Sequence, residues 1–133
     1  MRIAICGSVA FAKDMLDTKQ KLEEMCHTVK VPMNLEKYVT GSVKVEDKWE
    51  KLEHDVIKAY YKVIKNSEAI LVMNKDKNDI ENYVGGNTLI EIAFAHVLDK
   101  KIYFLNPIPQ MSYTGEIEFM SPVILDGDLT RIL

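Results

Sequence analysis

The prediction of the fold starts from residues 83–109, YVGGNTLIEIAFAHVLDKKIYFLNPIP. Its paired glycines predict a turn, and the Asn87 and Thr88 that follow are residue types that favour a helix N-terminus. The apolar run over residues 89–98 predicts the helix itself. A charged turn then separates it from residues 102–105, which predict a short buried strand. The stretch is therefore predicted to be a loop, a helix and a strand.

Glu91 is the one carboxylate within this apolar helix. The sequence from Thr88 to Glu91, TLIE, fits a capping box, in which the glutamate side chain binds back to the N-cap amide. By spacing alone the capping role is favoured, because capping boxes are common and catalytic carboxylates are rare. The two roles can coexist, since a carboxylate at a helix N-terminus is kept ionised and fixed in direction, as a nucleophile on a sugar carbon needs.

Four further strands are predicted from short apolar runs bounded by turn residues. They cover residues 2–6, 27–31, 68–73 and 122–125. Apolar residues at helical spacing predict helices over residues 9–26 and 45–63. Residues 33–42 have no clear period and are predicted to be a loop over the site.

Alternation of strands and helices predicts the fold class. We expect a single Rossmann-like or flavodoxin-like α/β three-layer sandwich with a mainly parallel sheet of about five strands, formed by residues 1–133 as one domain. Ligands of such sheets bind at the carboxyl ends of the strands. The loops at that edge are therefore where a site is expected.

Composition excludes several classes of partner. The net charge of the 133 residues is -3, and only two of the 17 basic residues are arginines, so no nucleic acid polymer is expected to bind. No apolar stretch reaches the roughly 20 residues that a membrane span needs. The N-terminus enters a strand pattern at once, which argues against a signal sequence and for a cytoplasmic protein. Cys6 and Cys26 have no metal-like spacing and are expected to be free thiols.

Gly7 and Ser8 follow the first predicted strand. A glycine there permits a tight turn, and the start of the next helix can hold a phosphate or a sugar hydroxyl. The alternative is that Gly7 only permits the turn and Ser8 only caps the helix. One glycine after a strand is a far weaker signal than a full dinucleotide fingerprint.

The turn before the apolar helix is a stronger signal for ligand binding. Two glycines allow close backbone approach, and the polar side chains after them can bind a ribose or its phosphate. These predicted binding residues are Gly85, Gly86, Asn87 and Thr88. Tyr60 lies on the apolar stripe of the predicted helix over residues 45–63, where its hydroxyl can reach the same edge of the sheet.

Three segments resemble one protein family. They are ICGS at residues 5–8, NSEAILVM at residues 66–73 and GGNTLIEIAFAHVLDKKIYFL at residues 85–105. Together they are similar to the nucleoside 2-deoxyribosyltransferase superfamily, which includes the 2'-deoxynucleoside 5'-monophosphate N-glycosidases. The resemblance covers most of the chain. GGNTLIE is also similar to a signature of the cytokinin-activating phosphoribohydrolases, which belong to the same reaction class.

The resemblance implies cleavage or transfer at an N-glycosidic bond. Glu91 matches the family's nucleophile, which attacks the anomeric carbon, releases the base and leaves a covalent glycosyl-enzyme for water or a second base to resolve. The positions where the family holds sugar or phosphate are Gly7, Ser8, Gly86, Asn87 and Thr88. No metal and no organic cofactor is implied.

The sequence departs from the family's pattern at the acid that acts on the leaving base. Tyr60 stands where the family usually has an Asp, so the acid is expected to be Tyr60, Asp76, Asp79 or a group of a neighbouring subunit. Family members form dimers, which implies a homodimer or higher homo-oligomer whose C-terminal residues close the pocket. The candidates for that closure are Tyr113, Glu116 and Phe119.

Two other functions remain open from the sequence. One is a non-catalytic module that binds or senses a nucleotide on the same fold. The other is a structural domain in which Glu91 only caps the helix. Replacement of Glu91 by Gln distinguishes them, because Gln also serves in a capping box.

Overall fold

The computed structural model describes residues 1–41 and 55–133 and has one parallel sheet at its centre. The strands in chain order are β1 (Arg2–Cys6), β2 (Thr28–Lys30), β3 (Ala69–Val72), β4 (Lys101–Phe104) and β5 (Val123–Ile124). They lie in the order β2-β1-β3-β4-β5, and every neighbouring pair is parallel. All five predicted strands are present, and the predicted Rossmann-like or flavodoxin-like α/β sandwich is confirmed.

Helices cover both faces of the sheet. In chain order they are α1 (Ala12–Glu24), α2 (Leu35–Thr40), α3 (Val56–Lys65), α4 (Gly86–Val97) and α5 (Thr114–Phe119). A short 3₁₀ turn (Val9–Phe11) precedes α1, and another (Leu129–Arg131) follows β5. Within residues 1–41 and 55–133, no helix has the length and apolar character that crossing a membrane requires.

Successive residues of β1 face opposite layers, because side chains alternate along a strand. Ile3 and Ile5 pack with α1 and α2 on one face. Ala4 and Cys6 pack with α3, α4 and α5 on the other face. Each face of the sheet therefore has its own hydrophobic core, and the sheet separates the two cores.

Two predicted boundaries need correction. Residues 33–42 are not only a loop, because they contain α2, which is held to the core by the fully buried Leu35. The helix predicted over residues 45–63 begins at Val56, where the Asp55 side chain accepts the Lys58 amide at 3.2 Å. Residues 42–54 lie outside the part that the structure describes.

The segment after β4 also differs from the prediction. It contains a helix that was not predicted, α5, whose Ile117 is fully buried in the core beside α4. The helix is only six residues long, so its apolar pattern is too short to predict it from the sequence.

Candidate active site

The candidate site lies at the carboxyl ends of β1 and β3, where the strand order changes direction. Parallel sheets with this order bind ligands at that point. The chain turns at Gly7, where an added Cβ would lie 3.1 Å from the Met73 carbonyl oxygen just after β3. A glycine permits this close approach without displacing β3. The turn leads to Ser8, whose side chain meets the loop that follows β3.

A cavity of about 520 Å³ opens at this edge of the sheet. Its volume is in the range of pockets that hold small molecules. Eight of the residues proposed from the sequence lie on its wall. They are Gly7, Ser8, Tyr60, Gly85, Gly86, Asn87, Thr88 and Glu91. The fold thus brings together residues that are far apart in the chain, while their roles toward a ligand stay predictions.

The start of α4 differs from the predicted capping box. Gly85 is the N-cap residue, its backbone is extended, and α4 begins at Gly86. Thr88 is therefore inside the helix and buried, and Glu91 is too far along the helix to bond back to the N-cap. The predicted capping role of Glu91 is wrong for this reason. Gly86 has open space where a side chain would stand, so the turn leaves room for a ligand.

Glu91 is half-buried on the cavity wall. Burial raises the pKa of its carboxyl group from the ordinary 4.5 to about 8, and hydrogen bonding with the Cys6 thiol lowers it only in part. The prediction that the helix N-terminus keeps this carboxylate ionised is therefore wrong. Glu91 is mostly protonated at neutral pH when no ligand is bound.

The hydroxyl of Tyr60 is already engaged with the backbone. It donates a hydrogen bond to the carbonyl of Ile5, and the Lys30 carbonyl lies 3.4 Å from the same oxygen. Burial, with the nearby Cys6 and Glu91, raises the pKa of Tyr60 well above its ordinary value. Tyr60 is thus a poor proton donor, because it is a weak acid whose proton is held by β1.

The other predicted acids lie away from the cavity wall. Asp76 is exposed and its carboxylate accepts the Asn82 amide at 3.0 Å. Asp79 is also exposed, in a left-handed turn. Of the residues that line the cavity in the described ranges, only Glu91 carries a carboxyl group. The same ranges contain no cluster of three or more side chains able to hold a metal ion.

The residues proposed to close a neighbouring pocket lie on or next to α5. The hydroxyl of Tyr113 donates to the carbonyl of Val84 in its own chain, just before the glycine turn. Phe119 is 84% exposed and Glu116 is also exposed. Closure of a second subunit's pocket by these residues stays a prediction.

The sequence did not single out Lys77, although it lies on the cavity wall. Its ammonium nitrogen is 2.9 Å from the Ser8 hydroxyl oxygen and 5.3 Å from the centre of the Tyr83 ring. Backbone hydrogen bonds of 3.1 and 2.9 Å between Lys77 and Ile80 fix the loop locally. The position of this loop directly after a central strand was the available signal, because such loops meet at the carboxyl edge of the sheet.

Comparisons with protein families, with curated proteins and with solved structures find no match to this chain. The resemblance to the nucleoside 2-deoxyribosyltransferase superfamily is therefore still carried by the three sequence segments alone. A homodimer and a cytoplasmic location also stay predictions.

Proposed function

We propose that this protein cleaves or transfers at the N-glycosidic bond of a (deoxy)nucleoside or nucleoside monophosphate, with Glu91 as the nucleophile. The observation that carries the proposal is the position of Glu91. Among the residues that the structure describes, it is the single carboxyl group on the wall of a cavity with the volume of a small-molecule site. The open glycine turn at Gly86 gives a sugar room to approach it.

The proposed reaction has two displacements at C1 of the sugar. A Glu91 oxygen forms a bond to C1 while the bond from C1 to the base nitrogen breaks, and the electron pair leaves with the base. The departing base takes a proton from water. Water or a second base then attacks C1 and gives up a proton to the hydroxide left by the first step, and the Glu91 carboxylate leaves. Two displacements retain the configuration at C1.

The raised pKa of Glu91 sets the direction of the pH dependence. With a pKa of about 8, roughly one-tenth of the carboxyl groups are ionised at pH 7. Only the ionised form attacks, so kcat/KM rises with pH up to about 8 and is level above it. A Glu91 that served instead as a proton donor would give a kcat/KM that falls over the same range.

A second function is supported by the lack of a suitable proton donor for the leaving base on the described part of the cavity wall. The Tyr60 hydroxyl donates a hydrogen bond to the Ile5 carbonyl, and the described part of the cavity wall offers no carboxyl group besides Glu91. Such a site is well suited to binding a nucleotide without turning it over. The second candidate is therefore a nucleotide-binding or sensor module on the same fold.

Release of base separates the two functions. We expect purified protein to release base from one member of a panel of nucleosides and monophosphates, with a rate that increases from pH 6 to pH 8. Glu91→Gln should lower the rate on the order of 10³-fold or more, because it removes the nucleophile but keeps the shape. Glu23→Gln, an exposed change on α1, is the matched control and should keep the rate.

Ligand-induced thermal shifts complete the comparison. Stabilisation of both the native protein and Glu91→Gln by a nucleotide, without base release by either at any pH, would favour the binding module. Base release that survives in Glu91→Gln would overturn the role of Glu91 as nucleophile.

A further inference from the structure

Lys77 gives the cavity a positive charge at a defined place. Among the residues that the structure describes on the wall, Lys77 is the single basic residue and Glu91 the single acidic one. The carboxyl group of Glu91 is mostly protonated, and therefore neutral, at neutral pH. None of the ion pairs among the described residues includes Lys77, whereas Lys75 in the same loop pairs with Asp14 at 3.1 Å. The ammonium group of Lys77 is thus left to attract an anion inside the cavity.

The hydrogen bonds of Ser8 add a donor beside that charge. A hydroxyl group has two acceptor positions and one proton. The Ser8 oxygen accepts from the Ala10 amide at 3.2 Å and lies 2.9 Å from the Lys77 ammonium, which has no acceptor capacity and must be the donor. Both acceptor positions are filled, so the proton of Ser8 is available for a ligand.

Lys77 also keeps unused donors. Its ammonium has three N–H bonds, of which one serves Ser8, and the Tyr83 ring lies 5.3 Å from the nitrogen. The remaining donors and the proton of Ser8 belong to adjacent groups on one wall. A cation next to a hydroxyl donor is matched by a group with several negative oxygens, and a phosphomonoester has three.

We infer that Lys77 and Ser8 form a phosphate subsite of this cavity and that Lys77 selects a nucleoside 5'-monophosphate over the corresponding nucleoside. This inference rests on the proposed function for the identity of the nucleoside part. The phosphate lies at the Ser8 and Lys77 end, and the sugar carbon that reacts lies at Glu91. Lys77 is a specificity-determining residue in this arrangement and takes no part in bond cleavage.

Binding measurements test the subsite without requiring turnover. Isothermal titration calorimetry compares four deoxynucleosides, their 5'-monophosphates and inorganic phosphate. We expect the native protein to bind at least one monophosphate about 10- to 100-fold more tightly than its nucleoside, as charge-assisted hydrogen bonds typically provide. Inorganic phosphate should bind much more weakly, because it lacks the nucleoside contacts.

Lys77→Met removes the charge and keeps the length of the side chain over Tyr83. It should weaken binding of the monophosphate about 10- to 100-fold and so abolish its preference over the nucleoside. Lys75→Met is the matched control, because Lys75 is two residues away and lies off the cavity wall. Lys77→Gln serves as a second variant, and a thermal melt without ligand verifies that each variant folds.

The possible outcomes separate the subsite from the reaction. A monophosphate preference that depends on Lys77, found in a protein that releases no base, would support the subsite and overturn the proposed reaction. Base release from a nucleoside that is bound as tightly as its monophosphate would overturn the subsite and leave Glu91 as nucleophile. Failure to bind any of the four monophosphates, or a preference retained in Lys77→Met, would also overturn the subsite.

Discussion

The two helical layers on the sheet differ in what they bury. The layer of α1 and α2 buries aliphatic and aromatic side chains, such as Met15, Leu22 and Leu35. The layer of α3 to α5 buries Cys6 and Tyr60 in its core, and burial raises the pKa of each. The cavity opens beside these groups, with Tyr60 on its wall.

The two layers contribute differently to stability and to the cavity. Neighbouring residues of β1 serve the two layers, with Ile5 on one side and Cys6 on the other. The first layer gains its stability from continuous packing. The second holds a carboxyl group where ionisation is unfavourable, which stabilises the protein less but gives the cavity a reactive group.

The largest expected effect on stability is in the layer of α1 and α2. Leu22 is fully buried against the sheet, so Leu22→Ala should lower the free energy of unfolding by about 2 to 5 kcal/mol, through lost burial and an unfilled cavity. Urea denaturation measures this change. Glu23→Ala on the exposed side of the same helix should change it by less than about 0.5 kcal/mol. Similar losses for the two variants would show that this layer is loosely packed.

A smaller effect on the free energy of unfolding, this time an increase, is expected from a change at Glu91 on α4. The pKa of Glu91 is about 8 in the folded protein and near the ordinary 4.5 in the unfolded chain. The stabilisation of the protonated, folded form is complete below pH 4.5 and is lost as pH rises towards 8. Glu91→Gln has no proton to lose, so it should be more stable than the native protein at pH 8. The two pKa values correspond to about 4 kcal/mol at this pH, and solvent access to the half-buried side chain reduces the expected gain to the order of 2 kcal/mol.

Denaturant unfolding at pH 4.5 and pH 8 measures the pH-dependent term. The stability difference between Glu91→Gln and the native protein should increase from the lower to the higher pH. Glu23→Gln is again the control and should show no such increase. A stability difference that stays constant with pH would mean that the Glu91 carboxyl group is not desolvated in the folded protein.

The sequence predicted the sheet well because each strand carries its own signal. Runs such as those of β1 and β3 are almost wholly apolar and end at turn residues, so neither depends on distant contacts for recognition. Because ligands of parallel sheets bind at the carboxyl ends of the strands, Gly7 and Glu91 were predicted to lie near that same edge of the sheet. The helix α2 was missed because it is six residues long and held by the single buried Leu35.

The chemistry of the site was predicted less well because it depends on contacts between distant residues. TLIE has the letters of a capping box, but α4 begins at Gly86 and buries Thr88, which overrides the local pattern. The pKa of Glu91 is set by burial and by Cys6, 85 positions earlier in the chain. Lys77 lies in a polar loop whose sequence does not show that its side chain meets Ser8.

Trapping of the glycosyl-enzyme tests the central role of Glu91 most directly. A fluorine at C2 of the sugar destabilises the oxocarbenium-like centre and slows resolution of the intermediate. After incubation with a 2'-fluoro-2'-deoxynucleoside or its 5'-monophosphate, mass spectrometry should find the fluorinated sugar on the peptide that contains Glu91, and no adduct in Glu91→Gln. Base release by the native protein with no adduct at Glu91, or an adduct that persists in Glu91→Gln, would contradict the account.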